Sequence, residues 1–115
     1  MRIVAPFAPG GNVDITARVM AQALTELMGQ SFVVENRGGA GGMIGADIVA
    51  KAAPDGYTLM LGSNGPVSIG PVLYAKVPYD PVRDFAPISN LSISPIVIAV
   101  HPSIPARTQI GRAHV

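Results

Sequence analysis

Apolar positions along this chain recur with two alternating periods. Residues 2–7 form a short apolar run closed by Pro9-Gly10, which predicts a buried strand. Val13, Ala17, Met20, Leu24 and Leu27 then recur every three or four positions, the pattern of one apolar face of an amphipathic helix. Asn12 or Asp14 suits its N-terminal cap, and the Asp14 charge suits its positive end. Gly29 suits its C-terminal stop. Residues 31–35, rich in Val, predict a second strand. Residues 38–42 hold too much glycine for regular structure. A second helix is expected over residues 43–53, with Ile44, Ile48 and Ala52 on its buried side. Pro54-Asp55-Gly56 is a turn. Residues 57–61 predict a third strand, ended by Gly62-Ser63-Asn64-Gly65-Pro66. A short helix is expected around residues 69–74. Tyr79-Asp80-Pro81 and Asp84-Phe85-Ala86-Pro87 read as turns, and residues 88–91 and 96–101 as further strands.

The order β-α-β-α-β implies an α/β fold: a mainly parallel sheet with helices on both faces, a three-layer αβα arrangement. In open parallel sheets, ligands sit outside the carboxyl ends of the strands. The loops at residues 7–14, 37–45 and 62–66 all fall at those ends.

Bulk composition narrows the picture. A chain of 115 residues is one domain or a piece of one. Apolar residues make up 49%, ample for a core, whereas charged residues make up 13%, well below the usual ~25%. With a net charge of +1 and no Lys/Arg cluster, nucleic acid is not an expected partner. With only three Tyr, three Phe and no Trp, no stacking platform for bases is expected. Absence of cysteine removes disulfides, thiolate metal sites and cysteine nucleophiles. No apolar run reaches the ~18 residues that span a bilayer. Strand-like sequence begins at once, with no basic and apolar leader before Arg2, so a chain trimmed at its start is expected. Residues 110–115 break every preceding pattern and resemble translated sequencing-adapter DNA. They are expected to be a non-native tail, the natural chain continuing beyond Gln109.

The chemistry on offer is that of binding. Glycines where a strand ends and a helix begins make an anion site, because helix-start N–H groups are unpaired and the dipole is positive there. Glycine also serves plain tight turns. Two such loops at matching ends of adjacent strands, one flanked by Arg37, favour the anion site. A dinucleotide fingerprint fails: Ile44 stands where the third glycine belongs, and Gly62-Ser63-Asn64 stands where the ribose-binding acid belongs. No P-loop is present. His101 precedes a proline at a strand end, and His114 lies in the suspect tail. Ser63 and Ser68 lack a Gly-x-Ser-x-Gly elbow. Asp14 and Glu35 suit a helix start and a polar strand end better than a catalytic pair. No His, Asp or Glu set has metal-ligand spacing. The residues point to a binding protein, with no cofactor and no metal, rather than an enzyme. The alternative is a fragment of a nucleotide-binding α/β enzyme.

Four segments in order carry a more specific resemblance. Pro6-Phe7-Ala8-Pro9-Gly10-Gly11, with Asp14 and Ala17-Arg18, resembles the opening signature of the Bug-type (TctC-like) receptors, the extracytoplasmic solute-binding proteins of tripartite tricarboxylate transporters. Val33-Val34-Glu35-Asn36-Arg37 with Gly39-Ala40-Gly41-Gly42 and Gly45 resembles the second. Pro54-Asp55-Gly56-Tyr57-Thr58-Leu59 is similar to the third, and Tyr79-Asp80-Pro81 with Asp84-Phe85 to the fourth. The resemblance implies the incomplete first lobe of a type II periplasmic-binding-protein (Venus-flytrap) fold. Residues 1–100 would be the ligand-binding lobe and 101–109 the start of the crossover to a second lobe. It implies a small carboxylate ligand held in large part through ordered water, a membrane permease as partner of the full-length protein, and a periplasmic location. The chain itself would not span the membrane. Carried over, the ligand contacts are Phe7, Ala8, Pro9, Gly10 and Gly11, with Asp14 ordering that loop, then Gly39, Ala40, Gly41 and Gly42, and Ser63 and Asn64 after the third strand. Gly38 stands where the family commonly has proline, which implies a looser loop.

Overall fold

The computed structural model describes residues 1–99 and 101–104. The expected tail at 110–115 and most of the expected crossover at 101–109 lie outside the described residues. Three strands, β1 (Arg2–Ala5), β2 (Val33–Asn36) and β3 (Thr58–Met60), form a parallel sheet in the order β2-β1-β3. Ile3 lies opposite Val34 on one side and Leu59 on the other. Helix α1 (Asn12–Met28) connects β1 to β2, and α2 (Met43–Ala50) connects β2 to β3.

Strand alternation distributes the core between two faces. Ile3, Ala5, Val34 and Leu59 turn toward α1 and pack with Ala17, Ala21, Leu24 and Phe32. On the opposite face, Met60 packs with Met43, Ala46 and Ala50 of α2 and with Tyr79 and Phe85. The sheet is therefore sandwiched between helices, as the alternation of elements predicts. Central β1 is the most deeply buried strand, because neighbours flank it on both edges and helices cover both faces.

Three expectations need correction. Leu27 is 82% exposed and not part of the α1 core face, which runs through Asp14, Ala17 and Ala21. Val13 and Leu24 of the expected stripe pack against that core from its margin. In α2 the buried residues are Met43, Gly45 and Ala46, while Ile44 is exposed. Residues 88–99 are not strands. They carry exposed Ile88, Leu91, Ile93, Ile96 and Val97. Apolar, β-branched sequence becomes a strand only where a partner supplies the ladder, and among the described residues β3 pairs with β1 alone. The predicted short helix begins early: a π-turn over Gly65–Ile69 leads into α3 (Gly70–Leu73).

Candidate functional site

All three loops at the carboxyl ends of the strands meet. The first follows β1 and opens with Pro6, which is fully buried. Gly10 takes a left-handed φ of 84°. Its N–H donates to Asp14 Oδ2 at 2.9 Å. Asp14 is almost completely buried, which a carboxylate tolerates only when paired and hydrogen-bonded. Arg18 Nε donates to it at 3.1 Å and Asn36 Nδ2 at 2.9 Å. Arg18, then the Gly10 N–H and the Asn36 amide, hold its pKa down to about 2. The N-cap of α1 is Gly11, and no side chain caps the helix. Neither Asn12 nor Asp14 serves as the expected cap. Asn12 Nδ2 donates instead to Ser94 Oγ at 2.7 Å, and Asp14 reaches back to Gly10.

The second loop follows β2. Gly39, Ala40, Gly41 and Gly42 all have positive φ, and residues 40–42 close a single 3-10 turn into α2. Among the described residues Ala40 is the one non-glycine in that region of φ. Gly42, at the N-cap of α2, has φ 95° and no side-chain cap. A Cβ there would stand 3.1 Å from the Phe7 ring and 3.2 Å from Pro66. One glycine thus seats the first and third loops against the second. Gly45 does the same for the helix behind it: a Cβ would meet Pro6 Cβ at 2.7 Å and the Arg37 carbonyl oxygen at 2.8 Å. Gly38 packs closely too, since a Cβ would lie 3.4 Å from Ala8 N.

The third loop follows β3. The main chain at Gly65 runs so near Gly41 that a Cβ would stand 3.0 Å from its carbonyl oxygen. Pro66 is fully buried, and its carbonyl accepts from Tyr79 Oη at 2.6 Å. Ser63 Oγ is buried with no hydrogen-bond partner among the described residues. A groove of about 530 Å³ opens here between Gly62, Ser63, Asn64 and Ser68 on one side and Asn90 and Ser92 on the other. A groove of similar size, about 570 Å³, runs between α1 and β2 and is lined by none of the expected ligand contacts, though Arg18, Val33 and Val34 of the signatures border it.

Charge near the loops is already paired. Arg37 binds Glu35 through Nε at 2.7 Å and also through Nη2, and Arg2 adds a contact to Glu35 at 3.3 Å. Arg37 first among its neighbours holds the Glu35 carboxyl below its ordinary range. Arg37, which flanks the second loop in the sequence, is thus paired with Glu35. What the site offers an anion is uncharged: two helix N-termini with no side-chain cap, and the hydroxyl and amide of Ser63 and Asn64. His101 is engaged locally, its Nδ1 lying 2.7 Å from Ser103 Oγ in an exposed turn. Asn36 and Arg18 entered the sequence reading only as parts of the signatures, with no role at the site, and Asn90 and Ser92 not at all. The i, i+4 spacing of Asp14 and Arg18 is a legible signal. Nothing local marks the other three, which depend on the approach of distant segments.

Comparison with known proteins agrees with this architecture. The model of the tripartite tricarboxylate transporter family receptor (TctC) matches residues 16–111. Protein BugT of Bordetella pertussis is 43% identical over 105 residues, which cover 90% of this chain and 32% of that protein. The structure of MatC from Rhodopseudomonas palustris with bound malate superposes with a TM-score of 0.72 at 41% identity, covering 76% of this chain and 30% of that one. A second R. palustris structure, with adipate, gives a TM-score of 0.69 at 43% identity, covering 71% of this chain and 27% of that one. This chain spans about a third of the length of the curated relatives it matches. With the family model matched over most of its length, the chain belongs to the tripartite tricarboxylate transporter receptor family.

Proposed function

We propose that this chain is the carboxylate-holding first lobe of a periplasmic solute-binding receptor that delivers its ligand to a tripartite tricarboxylate-type permease. One observation carries the reading: three strand-end loops in mutual contact, two of them leading into helices whose N-termini no side chain caps. Backbone N–H groups at such ends attract a carboxylate through both unpaired donors and the dipole. Phe7, Ala8, Pro9, Gly10 and Gly11 form one wall, Gly39, Ala40, Gly41 and Gly42 the next, and Ser63 and Asn64 the third. Bridging water extends the reach of such donors at little cost. Residues 1–100 act as the lobe, and residues 101–109 lead toward the second lobe. Family relatives bound to malate and adipate support the ligand class. No helix among the described residues is long and apolar enough to cross a membrane.

One lobe cannot close on its ligand or exclude water. Affinity of this chain for malate or adipate is expected at millimolar or weaker, about −4 kcal/mol or less favourable. An amide-resolved NMR titration with both acids tests the reading. Shifts saturating at millimolar acid and centred on Gly10, Gly11 and Gly39 to Gly42 are expected. Shifts confined to the groove between α1 and β2, or a response to NAD or ATP and none to either acid, would overturn it.

A further inference from the structure

We propose that Asn36 is the positioning residue of the first loop, fixing the backbone that meets the ligand carboxylate; the functional meaning of this role rests on the receptor reading above. Asn36 pairs with Ala5 in the last register position shared by β1 and β2, and the Arg37 N–H donates to the Ala5 carbonyl at 2.9 Å. Beyond this point the two strands part into their loops, and ladder hydrogen bonds no longer hold them together. The Asn36 side chain spans the gap. Its Nδ2 donates to the Phe7 carbonyl at 3.2 Å and to Asp14 Oδ1 at 2.9 Å. Its Oδ1 accepts from Arg18 Nη2 at 3.3 Å.

These partners dictate the residue type. A carbonyl and a carboxylate both require donors, and the guanidinium requires an acceptor. A short primary amide supplies two donors on one atom and an acceptor on the next. Aspartate has the same shape but turns an acceptor on both oxygens. Leucine supplies neither. Through Asp14, which in turn holds the Gly10 N–H, Asn36 sets both ends of the first loop, Phe7 and Gly10.

The variants Asn36→Asp and Asn36→Ala test this by NMR amide hydrogen exchange on the whole chain, with no ligand present. Exchange of the Gly10 amide is expected to rise about tenfold in both at neutral pH, the equivalent of one lost hydrogen bond. Amides of β1 should stay within about twofold. In Asn36→Asp the new carboxylate faces Asp14 across a hydrogen-bond distance, with Arg18 from α1 beside both and the paired Glu35 and Arg37 as its neighbours in sequence. Two carboxylates so placed share a proton more readily than either binds one alone. Acidification toward pH 5 should therefore restore the protection of the Gly10 amide, read as its rate relative to the intrinsic rate at the same pH, in Asn36→Asp and not in Asn36→Ala. Unchanged Gly10 exchange, equal acceleration of β1 amides, or absence of the acid rescue would overturn the positioning role. Failure of the carboxylate reading looks different: the wild-type chain would not respond to malate while Gly10 still loosened in the variants.

Discussion

Asp14 sits almost out of water with its charge intact because three donors surround it: the Gly10 N–H, Arg18 and Asn36. Its folded pKa of about 2 lies below the ordinary 3.8, so it stabilises the fold above pH 4. That stabilisation is lost as pH falls from about 4 toward 2. Melting curves of wild type and Asp14→Asn should accordingly differ most above pH 4 and converge toward pH 2. Parallel curves across that range would place the stabilisation elsewhere. Tyr79 makes a second residue-scale tie, from the segment after α3 to the third loop. Burial first, with the nearby Asp47 charge, pushes its phenol above the ordinary range, so it remains a donor at neutral pH. Tyr79→Phe leaves the Pro66 carbonyl unpaired and should cost about 1–2 kcal/mol in chemical denaturation. An unchanged midpoint would show that water replaces the hydroxyl. Asp14 was legible as a helix-start acid, but whether its carboxylate capped α1 or turned back to Gly10 was not. Both targets lie within four residues, and the donors around the carboxylate include Asn36, which arrives from β2.

At the scale of elements, the helices and strands follow from periodicity, while the faces they bury follow from packing. A five-residue apolar stripe placed Leu27 in the core, yet α1 buries Ala17 and Ala21 and leaves Leu27 at its open end. Leu27→Ala should change stability by no more than about 0.5 kcal/mol, as for other exposed positions. A loss of about 2 kcal/mol or more would restore it to the core. Helix α2 behaves oppositely, its least conspicuous residue setting its position. Gly45 lies against Pro6 and Arg37 with no room for a methyl group. Gly45→Ala should destabilise by about 1–3 kcal/mol despite its gain in helix propensity, because backbone and not a flexible side chain must move. A neutral or stabilising result would show that α2 can shift freely. Such a shift would carry Gly42 away from Phe7 and Pro66, so weaker malate shifts should accompany the lost stability.

The molecule as a whole is a sheet with helices on both faces and its strand-end loops gathered at one end, shared with receptors about three times its length. Exposed Ile88, Ile93, Ile96 and Val97 form a run of apolar sequence with no ladder to join. Exposed β-prone segments promote association. Replacing Ile93 and Val97 by Lys should raise the concentration at which this chain stays monomeric in sedimentation, with its melting temperature unchanged. A fall in melting temperature would mean that the run already packs on the lobe. The α/β class, the parallel sheet, α1 with its Gly29 stop and the three strand-end loops were all determined by local pattern, because periodicity and glycine placement are properties of neighbouring residues. The rotation of each helix, the silence of residues 88–99 as strands, the pairing of Arg37 with Glu35 and the bridging role of Asn36 were decided only in three dimensions. Each depends on which distant backbone arrives beside it, and one chain's order does not encode that distance.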